Sequence, residues 1–167
     1  VNNDNWQWSI KDAAGNVITI TDPNNQATRF EYYPTWNRVT KITDALNQVT
    51  EFTYDPTNGN LLAIKDPLNH VTTITYNGFG EAIDYHAAAA AAPLLDEQYT
   101  RDRLGRIAAK TETLGGVTTV YSYTYDLAGR LVGVLANGAV TAAYVYDSNG
   151  NRTSFTGPGG TLTGTYD

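Results

Sequence analysis

The 167-residue chain contains neither cysteine nor methionine. Without cysteine there are no disulfides and no thiolate metal sites. Basic residues are scarce: 11 Lys and Arg stand against 17 Asp and Glu, for a net charge of -6. An acidic surface repels phosphate backbones, which argues against nucleic acid as a partner. No apolar run approaches the roughly 18–20 residues that a membrane-crossing helix needs. No basic segment followed by an apolar one marks a signal peptide. With no initiator methionine, the chain reads as an internal piece of a longer protein, incomplete at both ends.

What is present is repetition. Tyr-Asp pairs open "YDPTNGNLLAI" at Tyr54, "YDLAGRLVGVL" at Tyr125 and "YDSNGNRTSF" at Tyr146, and the last pair begins at Tyr166. Looser copies begin at Lys11, Tyr33, Tyr76 and Arg101, so successive starts lie 20–25 residues apart. A second signal falls halfway through the early units, in "ITDPNNQAT" at Ile20, "ITDALNQVT" at Ile42 and "IKDPLNHVT" at Ile64. Later units use "LGGVTT", "ANGAVT" and "GPGGTLT" in its place. A period of this length is the mark of a repeat architecture.

Both signals read as turns. In the first register Asp12, Asp55, Asp102, Asp126 and Asp147 can accept backbone hydrogen bonds at the start of a turn. Gly15, Gly59, Gly105, Gly129 and Gly150 follow where the chain needs a left-handed residue. Asn37 takes the place of glycine in one copy, and Asn25 takes it after Pro23 in the second register. Asn137-Gly138 is a strong two-residue hairpin signal. Between turns, segments such as "QVTEFTY" and "VTTVYSYTY" alternate Thr, Val, Phe and Tyr with period two, as strands do. Tyr54, Tyr76, Tyr125 and Tyr146 then fall on one sheet face as an aromatic stripe, packed by cross-strand contacts.

The expected fold is all-β: one region spanning 1–167, a continuous antiparallel meander of hairpins. It would hold about 14 strands, a number at which an open sheet curves, splits or flattens, and strong curvature is the expectation. Residues 86–93, "HAAAAAAP", interrupt the pattern and are expected as an anomalous Ala-rich loop, with a short helix as the alternative.

The chemistry-bearing residues fall within the same repeat. Asp126 and Arg130 in "YDLAGR" have the composition of an acid/base pair. Yet the pair recurs with the turn, and a local backbone role accounts for it. The repeated carboxylates single out no pair flanking a bond, as a glycosidase requires. His70 and His86 are the only histidines, too few and too far apart in sequence for a zinc site. Repeated Asp and Gly without a GGxGxD nonapeptide do not make a calcium site. No catalytic, cofactor or metal residue is assigned, and no cofactor is expected. Twelve Tyr and three Trp leave carbohydrate stacking as a second reading.

The run "YDLAGRLVGVLANGAVTAAYVYDSNGNR" and its copies, from about Lys11 to Asp167, resemble the YD-repeat, or Rhs, proteins. The resemblance implies a β-sheet strip that spirals into a hollow shell. In bacterial Rhs toxins and in the B/C parts of Tc toxins, such a shell encloses a toxic C-terminal polypeptide. Teneurins use a similar shell in cell adhesion. By that resemblance the chain is a non-enzymatic segment of shell wall. Its partners would be the remaining repeats and the toxic C-terminal segment of the same parent protein, which is secreted or delivered by a bacterial export system. The alternative is a carbohydrate- or receptor-binding adhesion module. The core-associated motif that precedes the toxin in Rhs proteins is absent from this sequence.

Overall fold

Thr, Val, Ile and Tyr crowd the segments between the turn signals, and each such segment is a strand. The computed structural model describes residues 8–89 and 92–166. Its strands are β1 (Trp8–Lys11), β2 (Val17–Thr21), β3 (Ala27–Tyr33), β4 (Arg38–Thr43), β5 (Val49–Tyr54), β6 (Leu61–Lys65), β7 (His70–Tyr76) and β8 (Ala82–Ala89). They continue as β9 (Ala92–Arg101), β10 (Ile107–Leu114), β11 (Val117–Tyr125), β12 (Leu131–Ala136), β13 (Ala139–Tyr146), β14 (Arg152–Gly157) and β15 (Gly160–Thr163). Strand order in the sheet is sequence order throughout, the topology of a meander. The fifteenth strand arises because β1 precedes the first turn.

The alanine run departs from expectation. Ala87–Ala89 continue β8 and Ala92 opens β9, while residues 90 and 91 lie outside the described residues. Among the described residues the segment is strand rather than loop or helix. Alanine's helix preference is a few tenths of a kcal/mol per residue, and pairing in a sheet overrides it.

The chain divides into two compact units, one of residues up to Thr75 with Ala87–Ala92, the other of Tyr76–His86 and the residues from Pro93 onward. In the first, registers Phe30↔Ile42 and Phe52↔Ile64 line up apolar side chains on one face. Ile20 and Ile74 extend this row at the same 22-residue period, and Ile74 is buried. The opposite face carries the ladder Glu31↔Lys41↔Glu51↔Lys65. Ion pairs close at 3.2 Å for Lys41–Glu31 and 3.4 Å for Lys65–Glu51. Period-two alternation therefore sorts apolar from charged groups across four strands.

In the second unit the corresponding rows are aromatic. Tyr99↔Lys110↔Tyr121 and Tyr144↔Phe155↔Leu162 are cross-strand neighbours. The Tyr144 and Phe155 rings lie 5.5 Å apart. Lys110 projects onto this aromatic face, where its Nζ donates to Glu97 at 3.2 Å and Glu112 at 2.5 Å and sits 4.9 Å from the Tyr121 ring centre. Tyr99 donates its hydroxyl to Glu97 at 2.8 Å. Burial, then the Glu97 hydrogen bond, push the Tyr99 phenol up to about 12.

No second layer covers either face among the described residues. Among the described residues only Ile74 and Ala142 are buried apolar side chains. The accessible surface is 11427 Å², whereas a compact globular chain of 18.2 kDa exposes about 8,100 Å². The sheet is held by its ladders and by contacts between neighbouring strands, not by a core.

Candidate functional site: an interlock between successive turns

Five consecutive residues make the first-register turns at Asp12, Asp102, Asp126 and Asp147. Asp126 N donates to Arg130 O at 2.9 Å, and Gly129 N donates to Asp126 O at 3.0 Å. The Asp126 carboxylate accepts from the Arg130 backbone at 2.9 Å through Oδ1 and from Arg130 Nε at 2.7 Å through Oδ2. Gly129 has φ +83, the left-handed conformation that lets a three-residue loop close. Asp12, Asp102 and Asp147 bond in the same way, with Gly15, Gly105 and Gly150 at positive φ. The turn at Asp55 is one residue longer, closing from Gly59 N to Asp55 O at 2.8 Å.

The fifth residue of the turn varies, but its side chain repeatedly reaches the first. Asn16, His70, Arg106, Arg130 and Asn151 each meet the second oxygen of their turn aspartate at 2.7–3.0 Å. His70 thus does turn work with Asp66. His86 pairs with Asp96 across neighbouring strands. No cluster of three or more potential metal-ligating side chains exists among the described residues.

These hydrogen bonds hold the turn carboxyls below their ordinary value. For Asp126 the Arg130 backbone N–H leads, followed by its guanidinium. For Asp102 the Arg106 side chain leads; for Asp12 and Asp147 the side-chain amides of Asn16 and Asn151 do; for Asp55 the Thr57 hydroxyl does. A folded-state pKa below the unfolded one stabilises the fold above the unfolded value, near 3.8, and that contribution is lost as pH falls through the depressed values. The urea midpoint of the chain is therefore expected to hold steady from about pH 7 to about pH 5 and to drop steeply below about pH 4. A midpoint that stays level down to about pH 2 would show that the turn carboxylates contribute nothing.

The stripe tyrosines do more than pack. Tyr54 donates its hydroxyl to Val39 O at 2.9 Å, Tyr125 to Ile107 O at 2.8 Å and Tyr146 to Leu131 O at 2.9 Å. Tyr32 does the same to Val17 O at 2.8 Å. Each acceptor lies two residues beyond the last paired residue of its ladder, at Thr19, Lys41, Ala109 or Gly133. The hydroxyl takes the place of the backbone donor that the ladder no longer supplies. A β-bulge before the turn accompanies the arrangement at Tyr32, Tyr54, Tyr125 and Tyr146. A bulge re-aims the side chain that follows it. Tyr76, the remaining member of the stripe, is half-buried at the end of β7.

The turn arginine then covers the tyrosine of the next unit. Arg106 lies 4.4 Å from the Tyr125 ring centre, Arg130 4.7 Å from that of Tyr146 and Arg38 5.6 Å from that of Tyr54. Arg130 Nη1 also donates to Asp147 O, in the following turn, at 3.1 Å. Turn, arginine and next tyrosine form one interlock, repeated along this edge of the sheet. In the first unit Trp36 instead lies against Gly59, and a Cβ on Gly59 would fall 3.0 Å from Trp36 Cδ2.

One copy reverses the polarity. Where the next two units have Asp102, Arg106 and Tyr125, and Asp126, Arg130 and Tyr146, this one has Asn77, Glu81 and Arg101. Asn77 Nδ2 donates to Glu81 Oε2 at 2.7 Å. Arg101 caps Ala82 O through Nη2 at 3.3 Å, the carbonyl that follows the turn, and reaches Gly105 O through Nη1 at 2.9 Å. Sequence reading marked Arg101 only as a loose copy of the Tyr anchor. The signal was available, since Arg and Glu exchange positions within the same period.

The arrangement brings no nucleophile, base and acceptor together. It stiffens a sheet. A family model described as Teneurin YD-shell matches residues 46–167. Among solved structures, the Tc holotoxin pore of Photorhabdus luminescens is similar at 18% identity with a TM-score of 0.79, over 94% of this chain and 9% of that one. A crystal structure of TcdB2–TccC3 is similar at 18% identity with a TM-score of 0.77, over 94% of this chain and 10% of that one. The chain thus spans about a tenth of the length of these structures, and at such identity the likeness is one of fold. No curated protein matches. With the family match covering most of the meander and the same strand architecture recurring in the toxin structures, the chain belongs to the teneurin YD-shell family, as a structural segment of such a shell.

Proposed function

We propose that this chain is a stretch of wall in a closed YD shell, and that the shell encloses a toxic C-terminal polypeptide of the same parent protein. The supporting observation is the uncovered sheet: two buried apolar side chains among the described residues and an accessible surface of 11427 Å² leave the Ile/Phe and Tyr rows without a second layer. Such rows need an occupant, since large contiguous apolar surface on a soluble protein marks an interaction face. The apolar rows face the cargo and the Glu31–Lys41–Glu51–Lys65 ladder faces solvent. Containment is the mechanism: a hydrogen-bonded wall keeps proteases from an enclosed, incompletely folded chain. The parent is secreted or delivered by an export system, and the wall itself performs no chemistry.

A photo-crosslinking residue placed in the full-length parent tests this. At Phe52, on the apolar face, it is expected to capture the enclosed polypeptide; at Glu51, on the opposite face, it is not. Capture from Glu51 alone, or from neither site, refutes the assignment.

A further inference from the structure

Four Asn-Gly pairs lie at turns: Asn58-Gly59, Asn77-Gly78, Asn137-Gly138 and Asn149-Gly150. An asparagine before glycine loses its side-chain amide without an enzyme when the glycine nitrogen attacks the asparagine Cγ. Glycine has no side chain to hinder that approach. The asparagine side chain must first turn until the two atoms are within reach, a near-attack arrangement. Hydrogen bonds on the side-chain amide oppose the rotation, so their pattern ranks the four pairs.

Three of the side chains are held. Asn58 donates through Nδ2 to Asp55 Oδ2 at 3.1 Å and accepts at Oδ1 from Asn60 N at 2.8 Å. Its neighbour Gly59 is buried against Trp36, and Gly59 N closes on Asp55 O at 2.8 Å. Asn77 donates to Glu81 Oε2 at 2.7 Å and accepts at Oδ1 from Phe79 N and Glu81 N, each at 3.0 Å. Asn137 accepts at Oδ1 from Val120 N at 2.8 Å, while its own backbone N donates to Val120 O at 2.8 Å.

Asn149 differs. It is the third residue of the turn at Asp147, and both it and Gly150 are exposed. Its backbone N donates to Asp147 Oδ1 at 2.9 Å, but its side-chain amide has no partner among the described residues. Gly150 N reaches Asp147 O at 3.2 Å, against 2.8–3.1 Å for the closures at Gly15, Gly59, Gly80, Gly105 and Gly129. The amide is free to rotate, and the nitrogen that attacks it is the least tightly held of the turn glycines.

We infer that Asn149 is a site of spontaneous deamidation whose isoaspartate product opens the turn at Asp147. Gly150 N gives its proton to a base in the solvent and bonds to Asn149 Cγ. The bond from Cγ to Nδ2 breaks, and that nitrogen takes up a proton and leaves as ammonia. A five-membered succinimide remains. Water adds to one of its two carbonyls and opens the ring to aspartate or to isoaspartate, with no oxidant or reductant consumed. In isoaspartate the backbone runs through the former side chain and is one atom longer. The closure from Gly150 N to Asp147 O, and the bond from Asn151 N to Asp147 Oδ1 at 2.8 Å, no longer fit the same loop. The contact of Arg130 Nη1 with Asp147 O, at 3.1 Å, depends on that loop, so the damage reaches the joint with the preceding unit.

Peptide mapping by mass spectrometry, on the folded chain aged in mildly alkaline buffer, tests the inference. Asn149 is expected to convert about tenfold faster than Asn58, Asn77 or Asn137, the rate equivalent of one to two net hydrogen bonds. In concentrated urea the four rates are expected to converge to within about threefold, because the folded contacts that separate them are gone. Isoaspartyl methyltransferase with labelled S-adenosylmethionine should label the aged chain, and Asn149→Ser should lower the label about tenfold. In the isoaspartate fraction the amides of Gly150 and Asn151 should exchange hydrogen at least about tenfold faster, with the Gly129 amide unchanged. Equal rates at the four sites in the folded chain, or a faster rate at one of the other three, overturn the assignment. So does a ranking that persists unchanged in urea, or label that survives Asn149→Ser. Unaltered exchange at Gly150 and Asn151 in the isoaspartate fraction overturns the opening of the turn.

Discussion

Replacing Tyr146 with alanine is expected to lower the unfolding free energy by about 3 kcal/mol, the low end for a large aromatic because the ring is only half-buried. Two losses combine. The ring leaves its place beneath Arg130, whose guanidinium lies 4.7 Å from the ring centre. The hydroxyl leaves Leu131 O, which accepts from it at 2.9 Å at the point where the β12–β13 ladder has already ended. Tyr146→Phe separates them: keeping the ring and losing only the hydroxyl is expected to cost about 1 kcal/mol. Tyr144→Phe, on the same strand, is the control. Its ring packs on Phe155 and its substitution should change stability by less than about 0.5 kcal/mol. Urea unfolding of the three variants checks the set, and a Tyr146→Ala cost below about 1 kcal/mol would remove the interlock from the account of stability.

The second large effect concerns glycines that look alike in sequence. Gly15 and Gly59 both have positive φ, +89 and +74. Alanine at either position pays the left-handed penalty of about 1–2 kcal/mol. At Gly15 nothing lies within 4 Å of the added Cβ, whereas at Gly59 the Trp36 ring lies 3.0 Å away. Gly59→Ala is therefore expected to cost about 1–3 kcal/mol more than Gly15→Ala, the usual range for overpacking. In the Trp36→Ala background the difference should vanish, and a double-mutant cycle reads it directly. Equal costs for the two glycines in the parent background would show that Trp36 yields without strain.

These two cases mark where the sequence was legible. A turn is the chemistry of five adjacent residues, so Asp with Gly or Asn at fixed offsets reveals the punctuation, and with it the meander. Asn25 and Asn37, at φ +62 and +48, show that the left-handed slot itself can be read through a substitution. The tyrosine hydroxyl is different. Its acceptor lies 15 residues upstream in Tyr54 and Tyr146 and 18 upstream in Tyr125, and it needs a donor only because the ladder stops short. Nothing local states where a ladder stops. Trp36 meeting Gly59 depends likewise on how two successive turns stand beside each other. The alanine run went the other way: its local preference was plain, but strand neighbours outweighed it. The reversed copy at Arg101 was visible only as an exchange of charge between two repeat positions.

The interlock has a consequence for how such a chain can change length. Arg106 and Arg130 each lie over the tyrosine of the following unit, and Tyr125 and Tyr146 each close a carbonyl just after the preceding turn, so these units are fastened to their immediate neighbours. Energetics of this kind are close to a one-dimensional sum over units and their junctions. Adding or removing a full pair of strands leaves every junction with a partner. Adding or removing a single strand puts a tyrosine where an arginine cannot reach it and turns the following segment's apolar row to the wrong face. Gain and loss of sequence in whole repeats is thus the route by which a wall of this design lengthens, shortens or duplicates without reinventing its joints.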